Sequence, residues 1–321
     1  MSKYKKISKN INQLIVETRE DHDNEITWLN ISNARKKEIE YLRKNFKFNL
    51  NHLRSSSGLS RTQRPIVEKT DDYLFIILHF PVMQNGVIES KEIDFFIGDD
   101  YIITLHNSVK TLNNFFSFCK KDGLSTLSYQ HGLTSVLLYE IIEKLMLDCY
   151  VILDDTADLI DHLEDLIFEQ KSKKAVSIIL ALRQNIINTR KTLQNHKSII
   201  KSIKDIETDD DDVEDIKEFY DKLFTHSERI WDNLEGQKEL VHVLNATNES
   251  LLNYRLNDIM KTLTIFSVMV FPLSLLAAIF GMNTINGMPF MESIYGFWII
   301  ISIMLLGCIA MLLYFKKKKW F

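Results

Sequence analysis

The chain carries two long uncharged stretches close to its C-terminus, Thr262–Phe280 and Ser293–Phe315. Between Lys261 and Lys316 the sole charged residue is Glu292. A helix needs about 20 apolar residues to cross the hydrocarbon core of a bilayer, and each stretch is about that long. Few residues remain to connect them. The sequence therefore predicts a transmembrane hairpin that follows a large, charged and water-soluble part.

The charges that flank the two stretches predict their orientation. Lys316–Lys319 directly follows the second stretch, Arg255 and Lys261 precede the first, and the connecting turn contains no Lys or Arg. The positive-inside rule then places both termini in the cytoplasm and the turn outside. The N-terminal residues are basic and polar and lack the apolar segment of a signal peptide. We therefore expect a multi-pass protein of the plasma membrane whose soluble part lies in the cytosol.

Residues 1–130 have the pattern of a small α/β domain. Short runs rich in β-branched and aromatic residues, bounded by turn signals, predict strands at Ile26–Asn30, Tyr73–Phe80, Ile93–Ile97 and Tyr101–His106. Ala34–Asn45 has a helical pattern and lies between the first two strands. This alternation favours an α/β arrangement for the domain.

Residues 131–255 have the pattern of a helical region. From Leu133 to Phe271 there is no Pro and a single Gly, so little interrupts a helix. Charged runs at Lys171–Lys174 and Glu207–Asp215 are the expected breaks. These breaks predict helices near 133–170, 175–206 and 213–280.

The last of these helices continues into the first uncharged stretch and would be about 100 Å long. Apolar residues recur along it at alternating intervals of three and four residues, as in a coiled-coil seam. They are Leu223, Ile230, Leu234, Val241, Leu244 and Leu251. Such a stripe packs against neighbouring helices or against copies of itself, and oligomerisation is the simpler expectation.

Several segments together resemble the CorA family of divalent-cation channels. The resemblance is strongest over Tyr254–Asn283, Met288–Pro289 and the lysine-rich C-terminus, and Gly281–Met282–Asn283 matches the signature tripeptide that follows the first span in this family. Gln63–Arg64–Pro65 resembles part of the family's soluble domain. As an expectation, the resemblance implies an α+β membrane protein. It has an N-terminal cytosolic α/β/α domain, a long stalk helix continuous with the first transmembrane helix, and a two-span pore domain at 256–321. Five copies would form a homopentameric funnel.

The activity that the resemblance implies is passive influx of Mg²⁺ driven by the membrane potential, with Co²⁺ and Ni²⁺ also accepted. Mg²⁺ would be the transported ion and also a possible regulatory ion, with no other cofactor. The expected partners are membrane lipid and copies of the chain, without nucleotide or nucleic acid. No phosphate-binding loop or nucleophile arrangement is visible, so the sequence does not indicate an enzyme.

The tripeptide Gly281–Met282–Asn283 predicts a selectivity filter. Gly281 follows the last apolar turn, where a glycine commonly ends a helix in the left-handed conformation. The carbonyl end of a helix carries partial negative charge, which attracts a cation. The Asn283 amide oxygen of each subunit would add to this field. Because Mg²⁺ loses its water reluctantly, neutral oxygens that bind its hydration shell suit it better than a carboxylate cage.

Polar and small residues on one face of the first span predict a pore lining, because such residues are costly against lipid. The alternative is a helix–helix interface that conducts nothing. By resemblance, Met260 and Leu263 would form an apolar constriction that gates by dewetting. The complete predicted lining is Asn257, Met260, Leu263, Thr264, Ser267, Phe271, Ser274 and Ala278.

The outer loop departs from the family pattern. Family members often have Glu after Met-Pro, whereas Met288–Pro289 is followed here by Phe290. Glu292 is the nearest acidic residue and is either a replacement for that Glu or an ordinary acid at the start of a helix.

The expected regulatory metal site also departs from the pattern. Alignment with the family motifs places Ser57 and Lys222 where acidic residues sense intracellular Mg²⁺. Neither side chain is a ligand for a hard cation. Glu218 and Asp221 lie close by and are the candidates for a shifted, weak regulatory site.

Two other functions are compatible with the residues. The first is transport of Zn²⁺, Co²⁺ or Ni²⁺ as in the related ZntB-like branch, whose signature tripeptide differs. The second is a membrane-tethered coiled-coil sensor or scaffold that conducts nothing. A channel needs Asn283 and the polar stripe, whereas a tether tolerates their loss.

Overall fold

The first 106 residues build a mixed β-sheet. In the computed structural model, the described residues are 3–17, 25–56, 64–122, 126–131, 133–207, 214–282, 289–290, 293–318 and 320. Within them, seven strands follow the order β1-β2-β3-β7-β6-β5-β4. β3 and β7 are parallel, and the other neighbouring pairs are antiparallel. The strands are β1 (Lys3–Lys6), β2 (Ile11–Glu17), β3 (Glu25–Ser32), β4 (Ile66–Lys69), β5 (Leu74–Gln84), β6 (Val87–Ile97) and β7 (Tyr101–His106).

Helices lie between and after these strands along the chain. They are α1 (Lys36–Asn45), α2 (Leu50–Ser55), α3 (Lys110–Asp122), α4 (Leu127–His131), α5 (Thr134–Phe168), α6 (Ser172–Leu193), α7 (His196–Glu207), α8 (Glu214–Phe280) and α9 (Gly296–Lys317). The chain divides into two compact units, Met1–Asn245 and Ala246–Phe321. The first of them is called the soluble unit below. The boundaries drawn from the sequence at residues 130 and 255 remain predictions.

The sheet has a hydrophobic core on each face. Because side chains alternate along a strand, Ile76 and Leu78 of β5 enter one core while Phe75 and Ile77 enter the other. The first core contains residues of α3, α5, α7 and α8. The second core contains Leu42 of α1 and Leu53 of α2. The predicted α/β/α architecture is therefore confirmed.

The helix predicted near 175–206 is wrong as a single element. Gln194 and Asn195 form a turn that separates α6 from α7. After this turn the buried His196 donates a hydrogen bond from Nε2 to the carbonyl oxygen of His79, at 2.7 Å. A tertiary contact with β5 accompanies the break, which no Gly or Pro marks in the sequence. Burial lowers the pKa of His196 to about 4, so its ring is neutral at cytoplasmic pH.

The apolar stripe of α8 packs within its own chain over its first half. Leu223, Ile230 and Leu234 belong to the first core. The Gln237 side chain donates from Nε2 to the Leu153 carbonyl oxygen of α5, at 2.7 Å. Neighbouring helices of the same chain therefore cover this part of the predicted seam.

A hairpin joins β5 to β6 and is held by α6. Asn85 and Gly86 have φ values of 52° and 81°, as a tight hairpin turn requires. Asn185 of α6 is buried, accepts a hydrogen bond from Ile88 N at 3.0 Å and donates one to Gly86 O at 3.0 Å. The helix thus supplies partners for both backbone groups and fixes the hairpin against its side.

Cys119, Cys149 and Cys308 form no disulfide within the described part of the chain. Cys119 and Cys149 are buried in the first core. Burial raises the pKa of the Cys119 thiol to about 12 and also raises that of Cys149. The spacing of these residues predicts neither a disulfide nor a metal site, and a reducing compartment suits free thiols.

Two helices of the described residues are long and apolar enough to cross a membrane. They are α8, through its C-terminal part, and α9, with mean hydropathies of 2.4 and 2.6 in their most apolar windows. Both windows are almost entirely exposed in the single chain. The expectation of two apolar candidate spans after an N-terminal α/β domain is confirmed.

Candidate functional site

The tripeptide predicted as a filter begins where α8 ends. Gly281 N donates to the Ala277 carbonyl oxygen at 2.9 Å, and Met282 N donates to that of Ile279 at 3.3 Å. Gly281 does not adopt a left-handed φ, so the expected left-handed helix end is wrong. The helix instead closes with a tightened last turn. A Cβ atom on Gly281 would lie 3.1 Å from the Ala277 oxygen, so the close approach itself favours glycine.

The end of α8 has the electrostatics that a cation site needs. The last carbonyl groups of a helix lack partners in the following turn, and together they carry partial negative charge. Gly281 and Met282 satisfy two of these groups, those of Ala277 and Ile279. Asn283 lies outside the described residues, so its amide is placed here by sequence alone.

The predicted pore stripe is uncovered in the single chain. Met260 is 59% exposed, Leu263 56% and Phe271 72%. Ile265, on another face of the same helix, is 4% exposed. Of the remaining members of the stripe, Ser267 is half-buried, and the others are exposed, namely Asn257, Thr264, Ser274 and Ala278. A second surface is therefore needed to cover this face, whether water in a pore or other helices.

The polar members of the stripe are not equivalent. The Thr264 hydroxyl donates to the Met260 carbonyl oxygen at 2.7 Å, so the helix satisfies it internally. The Asn257 amide has no hydrogen-bond partner among the described residues. An unpaired amide is costly in an apolar environment, so Asn257 argues for water or a neighbouring polar group more strongly than Thr264 does.

The outer loop is described at Pro289 and Phe290, whereas Met288 and Glu292 lie outside the described residues. Phe290 has a φ of 71°, which is unfavourable for a residue with a Cβ. It lines an apolar cavity of about 380 Å³ together with Ala277, Gly281 and Gly296. The sequence showed that Phe replaces the usual Glu after Met-Pro but gave no signal of the unusual backbone.

The residues considered for regulatory metal binding are paired with cations. The Asp221 carboxylate contacts the Lys204 ammonium group, and Glu218 lies 2.8 Å from Lys222 Nζ. Ser57 lies outside the described residues. No group of three or more His, Cys, Asp or Glu side chains that could hold a metal occurs in the described part of the chain. A dication at Asp221 or Glu218 would have to compete with these lysines.

One buried carboxyl group lies elsewhere in the soluble unit. Asp94 of β6 is 3% exposed, and its Oδ1 has no hydrogen-bond partner in the described part of the chain. Burial, and secondly the neighbouring Glu92 carboxylate, raise its pKa to about 7. No pattern in the sequence marks this residue.

The comparisons with known proteins agree with one another over almost the whole chain. Residues 23–317 match the family described as CorA-like Mg²⁺ transporter protein. The chain is 26% identical over 301 residues to the cobalt/magnesium transport protein CorA of Thermotoga maritima. The aligned residues cover 92% of this chain and 83% of that relative. It is 23% identical over 303 residues to the protein of the same name in Methanocaldococcus jannaschii, covering 93% and 92% of the two chains.

Solved structures show the same fold. The complete structure of the CorA magnesium transporter from Methanocaldococcus jannaschii superposes with a TM-score of 0.82 at 19% identity, covering 97% of this chain and 96% of that one. The cytoplasmic domain of ZntB from Vibrio parahaemolyticus superposes with a TM-score of 0.54 at 12% identity, covering 79% and 98%. The likeness to the complete transporter includes both candidate spans.

Proposed function

Because the chain belongs to the family of CorA-like Mg²⁺ transporters, we propose that it is a channel for passive influx of Mg²⁺, and also of Co²⁺ and Ni²⁺. The observation that carries the proposal is the position of Gly281–Met282–Asn283 at the end of α8, directly after the first apolar span. An inside-negative potential of 100 mV supplies about 2.3 kcal/mol per charge, hence roughly 4.6 kcal/mol for a dication. This driving force needs no nucleotide.

The filter in this proposal is a ring of Asn283 amides above the carbonyl ends of α8. These oxygens would bind water of the Mg²⁺ hydration shell rather than the bare ion. Conduction also requires that the ion leaves readily, and neutral ligands hold it less tightly than carboxylates do. Met260 and Leu263 would form the apolar constriction on the cytoplasmic side.

The assembly in this proposal is a homopentamer in the plasma membrane with both termini in the cytoplasm. Support comes from the predicted pore stripe on α8, most of which is exposed in the single chain. Five copies around one axis would cover it and would give Asn257 the polar surroundings that its amide requires. The remaining exposed face of the hairpin would contact lipid.

The ZntB-like branch is the weaker alternative. The superposition on its cytoplasmic domain has a TM-score of 0.54, against 0.62 for the soluble domain of CorA from Methanocaldococcus jannaschii. The tripeptide Gly281–Met282–Asn283 is also the one that the Mg²⁺ branch carries, by the resemblance described above. Mg²⁺ is therefore the leading substrate.

The test replaces the proposed filter amide. We expect Asn283→Ala to abolish rescue of a bacterium that lacks Mg²⁺ uptake, at low external Mg²⁺, while expression and oligomer size stay unchanged. Asn286→Ala, in the same turn, is the matched control and should retain rescue. Growth of the Asn283→Ala strain equal to wild type would remove the filter assignment and would favour a non-conducting tether.

A further inference from the structure

A cleft of about 910 Å³ lies along the edge of the sheet, well within the soluble unit. β4 pairs only with residues 74–77 of β5, so the rest of β5 has no strand on that side among the described residues. The cleft occupies this uncovered edge. Arg64 and His79 lie on its sheet side, Ile88 comes from the hairpin, and Lys191 and Asn195 come from the end of α6 and the turn that follows it.

Hydrogen bonds hold α6 against the hairpin on one side of the cleft. Asn188 donates from Nδ2 to the Ile88 carbonyl oxygen at 2.8 Å, beside the two bonds that Asn185 makes to the same hairpin. The Thr192 hydroxyl donates to the Asn188 carbonyl oxygen at 2.8 Å. The cleft volume lies in the usual range for small-molecule sites, about 300–1,000 Å³, and such sites are largely pre-formed.

The cleft has an excess of positive charge. Arg64 and Lys191 contribute two cations, and neither has an acidic partner in the described part of the chain. The acid that lines the cleft, Glu89, is paired with Lys91 at 2.7 Å. Two uncompensated cations on facing walls favour an anionic ligand, and Arg suits phosphate particularly well.

His79 adds to the cleft a buried ring nitrogen that needs a hydrogen-bond partner. Its side chain is 5% exposed, and its Nε2 lies 3.2 Å from Glu92 Oε2. Because a carboxylate only accepts, Nε2 donates to it, and in the neutral ring Nδ1 is then a hydrogen-bond acceptor. Nδ1 has no hydrogen-bond partner among the described residues. A buried polar atom without a partner is unfavourable, and a ligand hydroxyl group could donate to it.

We propose that this cleft binds a small hydroxylated anion, with sugar phosphates as the chemical class that fits. Arg64 and Lys191 bind the phosphate group, and His79 Nδ1 accepts a hydrogen bond from a sugar hydroxyl. The side chains of Gln194 and Asn195 supply further polar contacts. The site contains no residue of the tripeptide or of the pore stripe, and it stands independently of the transport proposal.

Calorimetric titration of the full-length protein in detergent tests the proposal with three probes. Ribose 5-phosphate should bind, whereas ribose and inorganic phosphate should each bind at least tenfold more weakly. Absence of binding by ribose 5-phosphate would overturn the proposal. Equal affinity for inorganic phosphate would also overturn it, because the hydroxyl contact would then contribute nothing.

Two lysines, one lining the cleft and one away from it, provide the matched variants. Lys191→Gln should weaken ribose 5-phosphate binding at least tenfold, since it removes one charge-assisted contact. Lys201→Gln, on the exposed side of α7, should bind as wild type does. Hydrogen exchange should slow in the 84–90 hairpin when ribose 5-phosphate is bound. Unchanged affinity in Lys191→Gln, or protection confined to other segments, would place the ligand elsewhere and refute this site.

Discussion

Asp94 shows how a single buried residue can make the stability of this fold depend on pH. The folded chain holds its carboxyl proton up to a pH of about 7, whereas the unfolded chain loses it near pH 4. The stability contributed by this group is therefore full below about pH 4, falls as the pH rises from 4 to 7, and is lost above that pH. Above that pH the folded chain carries a buried carboxylate beside Glu92.

We expect Asp94→Asn to stabilise the protein at pH 8 by about 1–3 kcal/mol, because the amide cannot ionise. At pH 5 the gain should be smaller, because only part of the stabilisation has been lost between pH 4 and 5. Melting temperatures of the full-length protein at both pH values measure the effect. Asp99→Asn, at an exposed turn, is the control and should show no such difference. A variant that is less stable than wild type at pH 8 would mean that the ionised carboxylate has a stabilising partner.

At the residue scale the sequence predicted chemistry better than conformation. The position of Gly281 at the helix end followed from the end of an apolar run, but its backbone angle did not, because a helix can close in several ways. Asp94 gave no signal, since it alternates with Ile93 and Phe95 as a solvent-facing residue would. Its burial depends on the helices packed over that face of the sheet, which a local pattern cannot show.

At the scale of elements, buried and exposed leucines of α8 should contribute unequally to the stability of the soluble unit. Leu234 is 2% exposed and lies in the first core, whereas Leu240, on the same helix, is 54% exposed. Leu234→Ala should lower the free energy of unfolding by about 2–5 kcal/mol through lost burial and a cavity. Leu240→Ala should change it by less than about 1 kcal/mol. Chemical denaturation followed by circular dichroism compares the two variants, and equal losses would contradict the assigned packing.

The limits of the long helices were the most predictable feature of this chain. α5 and α8 follow the predicted helices near 133–170 and 213–280, because almost no Gly or Pro interrupts them. The turn at Gln194 and Asn195 was missed, since its cause is the contact between His196 and β5. β1 was also missed, because the segment Lys3–Lys6 is charged and exposed and becomes a strand only by pairing with β2.

At the scale of the whole molecule, the lysines after α9 predict the orientation in the membrane. Green fluorescent protein fused to the C-terminus should be fluorescent, and alkaline phosphatase at the same position should be inactive, because both termini are expected in the cytoplasm. Replacement of Lys316–Lys319 by Glu should raise the fraction of inverted molecules. Phosphatase activity in the unmodified fusion would contradict the predicted orientation.

The ion pairs that Glu218 and Asp221 form with lysines predict weak sensing of cytosolic Mg²⁺. A ligand shifts a conformational equilibrium only through its differential affinity, and Lys204 and Lys222 already occupy these carboxylates. Limited proteolysis of the detergent-purified oligomer should therefore show little protection at low-millimolar Mg²⁺. Lys222→Asp should increase protection, whereas Lys217→Asp, on an exposed face of the same helix, should not. Strong wild-type protection that survives Asp221→Ala and Glu218→Ala would locate sensing elsewhere.

The two thiols buried in the first core can report how often the packing around them opens. Cys119 and Cys149 are 1% and 2% exposed, and their raised pKa values keep them in the unreactive thiol form. An alkylating reagent reaches them only when the packing around α3 and α5 opens. The rate at which the reagent modifies these two positions, resolved by mass spectrometry, therefore measures how often that packing opens under native conditions. No residue needs to be changed for such a measurement.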